Sequence, residues 1–433
     1  MYRPVDLIEV RAWGATVGGV SIDPGLGYYV FEYDPKWQAR GIELAPLTMP
    51  VSQSLHVFPL LPEATYKRLP AMLADALPDD FGNALIDAWM AREGVPKSAI
   101  TPLDRLAYLG ARGMGALEFR PTRGPRHRKA TAVAISRLVV SARNALSGKF
   151  DGDRETEAAI TNLIQVGTSA GGARAKAVIA WNPSTNEVRS GQIAAGEGFE
   201  YWLLKFDGVS GNSDKELDDP AGYGAIEYAY YLMAKAAGIS MSECRLLEEN
   251  GRRHFMTRRF DRLAGGEKLH MQSLCALAHF DFNQAGAYAY EQALLTIRQL
   301  NLPMATVEEQ FRRMAFNIVA RNQDDHVKNI AFLMNKQGQW ALAPAFDVTY
   351  SYNPAGNWTA THQMTLNGKR DGFTLADFEA CAKAALMKRG RAKTIIHEVQ
   401  AAVKRWPEFA LEAGVAAGWR ESVRAAHRMD VMT

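Results

Sequence analysis

A buried helix that leads directly into an eight-residue polar segment constrains the fold of this sequence more than any other feature. Between residues 307 and 321, apolar residues recur with helical spacing on one face. They are Phe311, Met314, Ala315, Ile318 and Val319. Thr306 and Glu309 have the spacing of a capping box at the start of this helix. We therefore expect the helix to deliver the chain to the polar segment Asn322-Gln323-Asp324-Asp325-His326-Val327-Lys328-Asn329.

The residues after the polar segment predict a β-hairpin. Two apolar runs, 330–334 and 340–342, flank the turn-like residues 335–338. A hairpin brings its two ends together, and the second run leads straight to Asp347. We therefore expect Asn329 and Asp347 to meet at one site.

Those side chains suit phosphoryl transfer. An enzyme of this kind needs an Asp beside the attacking hydroxyl, and an Asn and an Asp that hold Mg²⁺ on the phosphates of ATP. Asp324 and Asn329 have the D-x-x-x-x-N spacing of a kinase catalytic loop. This spacing alone is weak evidence for a kinase, so the residues upstream of it are also needed.

Three upstream features occur in the order that protein kinases use. The glycine-rich segment 167–172 would let backbone N–H groups approach phosphates, and Lys205 lies on a predicted strand. Glu227 follows on a predicted helix over 224–237, and a position on the surface of that helix is the alternative. Together with the downstream residues, this order favours a kinase.

Other residues of the polar segment allow more than one role. His326, a candidate catalytic residue, could orient the loop through a hydrogen bond to backbone or contact an ATP phosphate. Lys328 could neutralise the transferred phosphate or lie on the surface. The role of Asp325 stays open, as a helper or as a solvated neighbour.

Composition excludes several classes of protein. The chain has no apolar stretch near the roughly eighteen residues of a membrane span, and its N-terminus does not resemble a signal peptide. Three widely spaced cysteines, Cys244, Cys275 and Cys381, favour neither disulfides nor a zinc site, so we expect a reducing cytoplasm. The net charge of +3 is too small to indicate a nucleic-acid binder by itself.

Two polar segments suggest domain boundaries. A basic, Pro- and Gly-containing loop spans 120–129, and an acidic segment spans 151–157. The loop contains Arg120, Arg123, Arg126, His127, Arg128 and Lys129 and is either a solvated linker or a contact to a phosphate backbone. We expect three parts: an N-terminal subdomain (1–150), a sheet with a glycine-rich loop and hinge (151–262), and a helical part with the catalytic loop (263–433).

Over nearly its whole length the sequence resembles the HipA-type serine/threonine kinases, the toxins of bacterial toxin–antitoxin pairs. Segments 77–82, 101–107 and 113–119 resemble the N-terminal subdomain of the family. Ser169-Ala170-Gly171-Gly172-Ala173-Arg174-Ala175-Lys176 resembles its glycine-rich loop, Arg259-Phe260-Asp261-Arg262 its hinge, 322–329 its catalytic loop and Phe346-Asp347 its metal motif. The resemblance implies an α+β, protein-kinase-like (HipA) fold, with a β-rich N-terminal part, an extra N-terminal subdomain and an all-helical C-terminal lobe.

The resemblance also implies roles for individual residues. Asp324 would be the catalytic base, Asn329 and Asp347 the Mg²⁺ ligands, and Lys205 the lysine on the ATP phosphates. Ser169 would be the autophosphorylated serine. Further ATP contacts would come from Gly171, Gly172, Ala173, Lys176, Lys328, and from Arg258 and Phe260, which would flank the adenine.

The implied partners are a HipB-type helix-turn-helix antitoxin, operator DNA bound through the antitoxin complex, and a protein substrate in translation such as an aminoacyl-tRNA synthetase. No membrane partner is expected. Three alternatives stay open at this point: a small-molecule kinase of the aminoglycoside or choline type, a catalytically silent DNA-binding co-repressor, and a metal-dependent nuclease. The nuclease would leave the glycine-rich segment and Lys205 unexplained.

Overall fold

The computed structural model describes residues 2–124, 136, 138–139, 175–192, 195–208, 222–263 and 266–431. The chain divides into two compact units, and each is built from more than one stretch of sequence. Unit 1 comprises Met1–Ser213, Met256–Gln272 and Leu333–Gln339. Unit 2 comprises Asp214–Phe255, Ser273–Phe332 and Trp340–Thr433.

Unit 1 begins with a four-stranded antiparallel sheet. Its strands are β1 (Leu7–Ala12), β2 (Ala15–Asp23), β3 (Tyr28–Tyr33) and β4 (Leu117–Arg120), in the order β3-β2-β1-β4. Trp13 and Gly14 join β1 to β2, and both have positive φ, 48° and 77°. Two central residues with positive φ match the right-handed twist of a tight hairpin, so this turn aligns the first two strands.

Five helices connect β3 to β4. They are α1 (Pro35–Gln38), α2 (Glu63–Tyr66), α3 (Ala71–Ala74), α4 (Asp80–Arg92) and α5 (Pro102–Leu109). In α5, Thr101 and Asp104 form a complete capping box, and Asp104 also accepts a hydrogen bond from the Val5 N–H at 2.9 Å. One buried carboxylate thus caps the helix and fixes the chain just before β1.

A second sheet contains the strands that the sequence predicted at 177–181 and 201–206. Its members are β5 (Lys176–Trp181), β6 (Val188–Ser190), β7 (Glu200–Lys205), β8 (Cys244–Glu249) and β9 (Arg252–Arg258), in the order β6-β5-β7-β9-β8. Every residue of β5 is buried, as expected for the continuous apolar run in its sequence. The division between the units falls inside β9, after Phe255.

Asp261 anchors the segment after β9. It is fully buried, and its carboxylate accepts hydrogen bonds from Arg259 (2.9 and 2.7 Å), Arg262 (2.6 Å) and the Gly115 N–H (2.8 Å). Burial opposes ionisation, but the two guanidinium groups and the backbone donor outweigh it and lower the pKa of Asp261 to about 2. The segment predicted as a hinge is therefore held to the loop at Gly115 by a buried ion-pair cluster.

Unit 2 is mainly helical. Its helices are α6 (Tyr223–Ala236), α7 (Leu274–Ala278), α8 (Tyr290–Gln299), α9 (Met304–Val319), α10 (Leu375–Ala384), α11 (Arg391–Lys404), α12 (Trp406–Glu412) and α13 (Ala417–Ala426). A third sheet has the strand order β10 (His270–Ser273), β11 (Ala331–Met334) and β12 (Trp340–Leu342) and includes the predicted hairpin. The division between the units falls inside β10, after Gln272, and inside β11, after Phe332. All five apolar residues predicted for the inner face of α9 are buried.

The predicted capping box of α9 is wrong. The helix begins at Met304, with Pro303 at the N-cap and no side-chain cap, so Thr306 lies inside the first turn. Proline fixes φ near the helical value and removes a donor that the first turn leaves unsatisfied, which lets the helix start earlier than the box predicts. Glu309 instead accepts hydrogen bonds from the Ser240 N–H and the Arg313 side chain.

The three cysteines are buried, and none of them forms a disulfide within the part of the chain that the structure describes. Among the described helices, none is both long enough and apolar enough to cross a membrane.

His270 makes the stability of unit 1 depend on pH. The ring is fully buried, and because the Leu44 carbonyl can only accept, the Nε2 atom 3.0 Å away must donate. Burial lowers the pKa of His270 from 6.5 to about 4, against the effect of the Leu44 hydrogen bond. The folded protein thus resists a proton that the unfolded chain accepts, so stability is complete above pH 6.5 and falls as the pH drops toward 4.

We expect His270→Gln, which keeps an N–H donor, to remove this component. Between pH 7.5 and 4.5 the wild type should lose about 2 to 3 kcal/mol more unfolding free energy than the variant. Urea unfolding of both proteins at the two pH values measures the difference. Equal losses would show that His270 is not the group responsible.

Candidate active site

The polar segment 322–329, here called the catalytic loop, starts from a fixed helix end. The Asn322 N–H donates to the Asn317 carbonyl at 2.9 Å, as in a Schellman motif, and Arg321 adopts the left-handed conformation with φ 58°. This position usually carries glycine. Here the Arg321 side chain is held by the Ala426 carbonyl (2.9 Å) and by the Tyr352 ring, 4.2 Å away.

The loop lies beside the segment that follows Asp347. Asn322 and Ser351 form a parallel bridge, the Gln323 N–H donates to the Ser351 carbonyl at 3.1 Å, and the Ser351 N–H donates to the Arg321 carbonyl at 3.0 Å. Asn329 and Asp347 both line a cavity of about 30 Å³ inside unit 2. The sequence-based expectation that these two residues approach each other therefore holds in the structure.

Asp324 presents its carboxylate at the edge of this loop. The Trp358 indole N–H donates to its Oδ1 at 2.7 Å, and His326 Nε2 lies 3.7 Å from the same oxygen. Although 43 % of the side chain is exposed, the protein atoms around it displace water and raise its pKa, and the charges of Asp347 and Asp325 add to this effect. His326 and the Trp358 hydrogen bond act in the opposite direction.

Asn329 and Asp347 offer oxygen ligands to a cation. The Asn329 side-chain N–H donates to the Asp324 carbonyl at 2.8 Å, which turns the amide nitrogen into the loop and leaves the amide oxygen for a ligand. Asp347 has φ 52°, a conformation in which Asp is enriched among non-glycine residues. Among the described residues, no group of three or more His, Cys, Asp or Glu could hold a metal. One carboxylate and one amide fit Mg²⁺, which usually takes few protein ligands and keeps water or phosphate oxygens.

Asp325, next to the exposed Asp324, is fully buried in a hydrogen-bond network. Its Oδ2 accepts from the Tyr290 hydroxyl at 2.5 Å and from His362 Nδ1 at 2.7 Å, and its Oδ1 accepts from the Gln363 N–H at 2.7 Å. Burial opposes ionisation, but His362 and these donors together lower the pKa of Asp325. A carboxylate at this position therefore stays charged and ties three distant segments together.

The network continues toward the start of the catalytic loop. The Asn317 side-chain N–H donates to the Tyr290 hydroxyl at 3.1 Å, and the Asn322 side-chain N–H donates to the Asn317 side-chain oxygen at 2.9 Å. Asn317 on α9 and Tyr290 on α8 thus form the middle of one hydrogen-bonded chain, and its two ends, Asn322 and Asp325, both lie in the catalytic loop.

His326 and Lys328 share one aromatic neighbour. The Phe282 ring lies 5.5 Å from the His326 ring, and Lys328 Nζ lies 4.9 Å from the Phe282 centroid. A cation over a ring face is weakly stabilised. Phe282 therefore restricts both side chains on the same side of the catalytic loop.

The ATP-binding candidates that precede the catalytic loop in the sequence belong to unit 1. Lys205 ends β7 and is buried, and its register partner on β5 is Lys176. Lys176 forms a buried ion pair with Asp79 at 3.2 Å. Arg258 is half-exposed and lies 3.5 Å from Glu200. Phe260 is partly buried, while Ser169, Gly171, Gly172 and Ala173 lie outside the described residues.

Sequence reasoning missed the groups that hold the two aspartates, namely Trp358, Tyr290, His362 and Gln363. Each lies more than thirty positions from its partner. No spacing pattern in a single sequence marks a contact of that kind. Glu227 is buried on α6, so the alternative of a surface decoration is wrong.

The two adjacent aspartates should respond differently to the same substitution. Asp325→Asn places an NH₂ group among three donors and should lower the unfolding free energy by about 2 to 5 kcal/mol. Asp324→Asn keeps an acceptor for Trp358 at a part-exposed site, and should change stability by less than about 1 kcal/mol. Thermal and urea unfolding of the two variants beside the wild type test this. Equal destabilisation would contradict the assigned environments.

Two protein families match the sequence. The HipA N-terminal domain matches residues 8–120, and the HipA-like C-terminal domain matches residues 168–406. No curated protein matches the sequence.

Among solved structures, the HipA chain from the Shewanella oneidensis MR-1 toxin–antitoxin complex of HipA, HipB and operator DNA is 16% identical, with a TM-score of 0.67. The comparison covers 96% of this chain and 94% of that chain. The Helicobacter pylori proinflammatory kinase CtkA is 13% identical with a TM-score of 0.35, over 54% of this chain and 89% of that chain.

The Shewanella match confirms the predicted fold class, the α+β, protein-kinase-like fold of HipA, across almost the whole chain. The C-terminal domain match by itself spans more than half of the sequence, and the N-terminal match adds the first subdomain. The chain belongs to the HipA family.

Proposed function

We propose that this protein is a serine/threonine kinase that transfers the γ-phosphoryl group of ATP to a protein hydroxyl, and that it is the toxin of a type II toxin–antitoxin module. The observation that carries the proposal is the convergence of Asp324, Asn329 and Asp347. Asn329 and Asp347 line one cavity, Asn329 bonds the Asp324 backbone, and the charge of Asp347 acts on the Asp324 carboxylate. Family membership and the HipA fold support the same conclusion.

In this mechanism Asp324 orients the acceptor hydroxyl and accepts its proton as the oxygen bonds to the γ-phosphorus and ADP leaves. The amide oxygen of Asn329 and the carboxylate of Asp347 would hold Mg²⁺, which neutralises charge on the phosphates when bound. His326 stands beside Asp324 and would contact the phosphate or steady the loop, with Lys328 close by on the same side.

The remaining ATP contacts are proposed from the sequence and the family. Lys205 and Lys176 would approach the phosphates, and Lys176 would first have to leave or share its ion pair with Asp79. The backbone at Gly171, Gly172 and Ala173 would cradle the phosphates, and Arg258 and Phe260 would flank the adenine. The proposed domain boundaries stay at 1–150, 151–262 and 263–433.

The partners are also proposals. Because a HipA chain has been solved with HipB and operator DNA, we propose a HipB-type helix-turn-helix antitoxin and operator DNA bound through it. The basic loop 120–129 is a candidate DNA contact, although 125–129 lie outside the described residues. We further propose that the protein acts in the cytoplasm on a component of translation, such as an aminoacyl-tRNA synthetase.

Catalysis should depend on the loop and on magnesium. With γ-labelled ATP and Mg²⁺, the wild type should transfer label to protein in a cell lysate, and EDTA should abolish transfer. Asp324→Asn should reduce the rate by about 10²- to 10⁴-fold because the general base is lost. Asp347→Ala should reduce the rate as strongly, because it removes a proposed Mg²⁺ ligand.

The exposed Asp6→Asn serves as a control and should leave the rate unchanged. Label found only on small metabolites would favour a small-molecule kinase. No Mg·ATP-dependent transfer by well-folded wild type, together with retained operator binding in the antitoxin complex, would favour a silent co-repressor.

Ser169 should be the site of autophosphorylation. A phosphate there would add nearly two negative charges to a segment that must hold ATP phosphates, and should silence the enzyme. Mass spectrometry after incubation with Mg·ATP should find phosphate on Ser169 in the wild type and not in Ser169→Ala. The neighbouring Thr168→Ala is the control and should keep the modification. Phosphate on other residues but never on Ser169 would contradict this.

A further inference from the structure

We propose that Trp358 is a positioning residue for the catalytic base: its indole N–H fixes one carboxylate oxygen of Asp324 and so directs the other toward the acceptor hydroxyl. This inference rests on the proposed kinase function and goes beyond it by assigning a role to the segment 358–363. That segment lies well after Asp347, and its sequence carries no catalytic motif.

The hydrogen bond defines which oxygen is used. Trp358 Nε1 lies 2.7 Å from Asp324 Oδ1, within the range of a strong bond to a charged acceptor. An indole is a donor only, so the direction of the bond is fixed. Among the described residues, no donor bonds Asp324 Oδ2. One oxygen is therefore held by the protein, and the second is available to accept a hydroxyl proton.

Trp358 is itself held in place beside the catalytic loop, through Gln363. The Gln363 side-chain N–H donates to the Trp358 carbonyl and, at 3.3 Å, to the Gln323 carbonyl. The Gln363 backbone N–H and His362 both bind Asp325. The segment 358–363 thus forms hydrogen bonds to Gln323, Asp324 and Asp325, three consecutive residues of the catalytic loop. Because its bonds to the buried Asp325 hold this segment in place, they also set the position from which Trp358 bonds to Asp324.

Without the indole N–H, the carboxylate of Asp324 can rotate into a second orientation. Its terminal torsion is broad and roughly two-fold, so rotation costs little. His326 Nε2 lies 3.7 Å from the same Oδ1 and would attract the released carboxylate. Misplacing a catalytic group by about 1 Å can reduce a rate by about 100-fold, because reactive geometries are narrow.

The test compares Trp358→Phe with the wild type. We expect kcat for Mg·ATP-dependent phosphorylation to fall by about 10- to 100-fold, while the KM for Mg·ATP and the thermal midpoint stay within about two-fold and 2 °C. Trp13→Phe is a matched control, because Trp13 Nε1 also donates one 2.7 Å hydrogen bond, to the Lys268 carbonyl of unit 1. It should leave kcat unchanged.

A second variant covers the case in which Trp358→Phe folds poorly. Replacing Trp358 by benzothienylalanine exchanges the N–H for sulfur and keeps the shape of the ring, so it should lower kcat by a similar factor. Wild-type kcat in this isosteric variant would overturn the proposal.

A double-mutant cycle shows whether Trp358 acts through Asp324. In an Asp324→Asn background, measured by single-turnover labelling, Trp358→Phe should reduce the residual rate less than three-fold, because the group that it positions is already lost. The same 10- to 100-fold loss in both backgrounds would overturn the inference. If instead wild type and Asp324→Asn transfer phosphate equally, the proposed function fails, and that outcome is distinct from a failure of Trp358 alone.

Discussion

The buried carboxylate of Asp325 is the constraint on which the catalytic loop depends. An ionised group without contact to water is tolerated only when its hydrogen-bonding capacity is met, since an isolated buried charge costs several kcal/mol or more. Three donors meet it here: the Tyr290 hydroxyl, His362 Nδ1 and the Gln363 N–H. Those donors come from two segments, α8 and residues 358–363, which lie on opposite sides of Asp325 in the sequence and far from it. Satisfying one charge therefore assembles α8, the loop and the segment 358–363 at a single point.

The same constraint explains why two adjacent aspartates differ. Asp325 accepts hydrogen bonds from three fixed donors and its pKa is lowered, whereas Asp324 is partly exposed, accepts one strong hydrogen bond from Trp358, and its pKa is raised. The Asp325 side chain is buried, and the Asp324 side chain beside it is partly exposed at the edge of the loop. The inner carboxylate provides rigidity, and the outer one remains accessible to a substrate. In the proposed kinase, chemistry and architecture are divided between neighbouring residues.

A related solution occurs in unit 1 at Asp261. That carboxylate is also fully buried and is met by Arg259, Arg262 and the Gly115 N–H. Two guanidinium groups and a backbone N–H take the place of the Tyr290 hydroxyl, the His362 ring and the Gln363 N–H that surround Asp325, and the pKa of Asp261 falls to about 2. In both units a buried aspartate joins segments that local secondary structure would leave independent. Removing either charge should loosen the contact more than the loss of a surface ion pair would.

Short-range patterns in the amino-acid sequence are sufficient to predict the local elements and the order of the motifs. The helical face of α9, the strands β5 and β7, the hairpin that returns to Asp347 and the D-x-x-x-x-N spacing are all short-range patterns, so residue periodicity and turn chemistry suffice to predict them. The predicted start of α9 was wrong, because Pro303 and the predicted cap Thr306 lie only three residues apart and the helix begins after Pro303. The groups that surround the predicted residues are placed instead by packing between segments that lie far apart in the sequence. Trp358 binds Asp324, Tyr290 and His362 hold Asp325, and Lys176 pairs with Asp79. Long-range packing brings these groups together, and no local pattern in the sequence connects them.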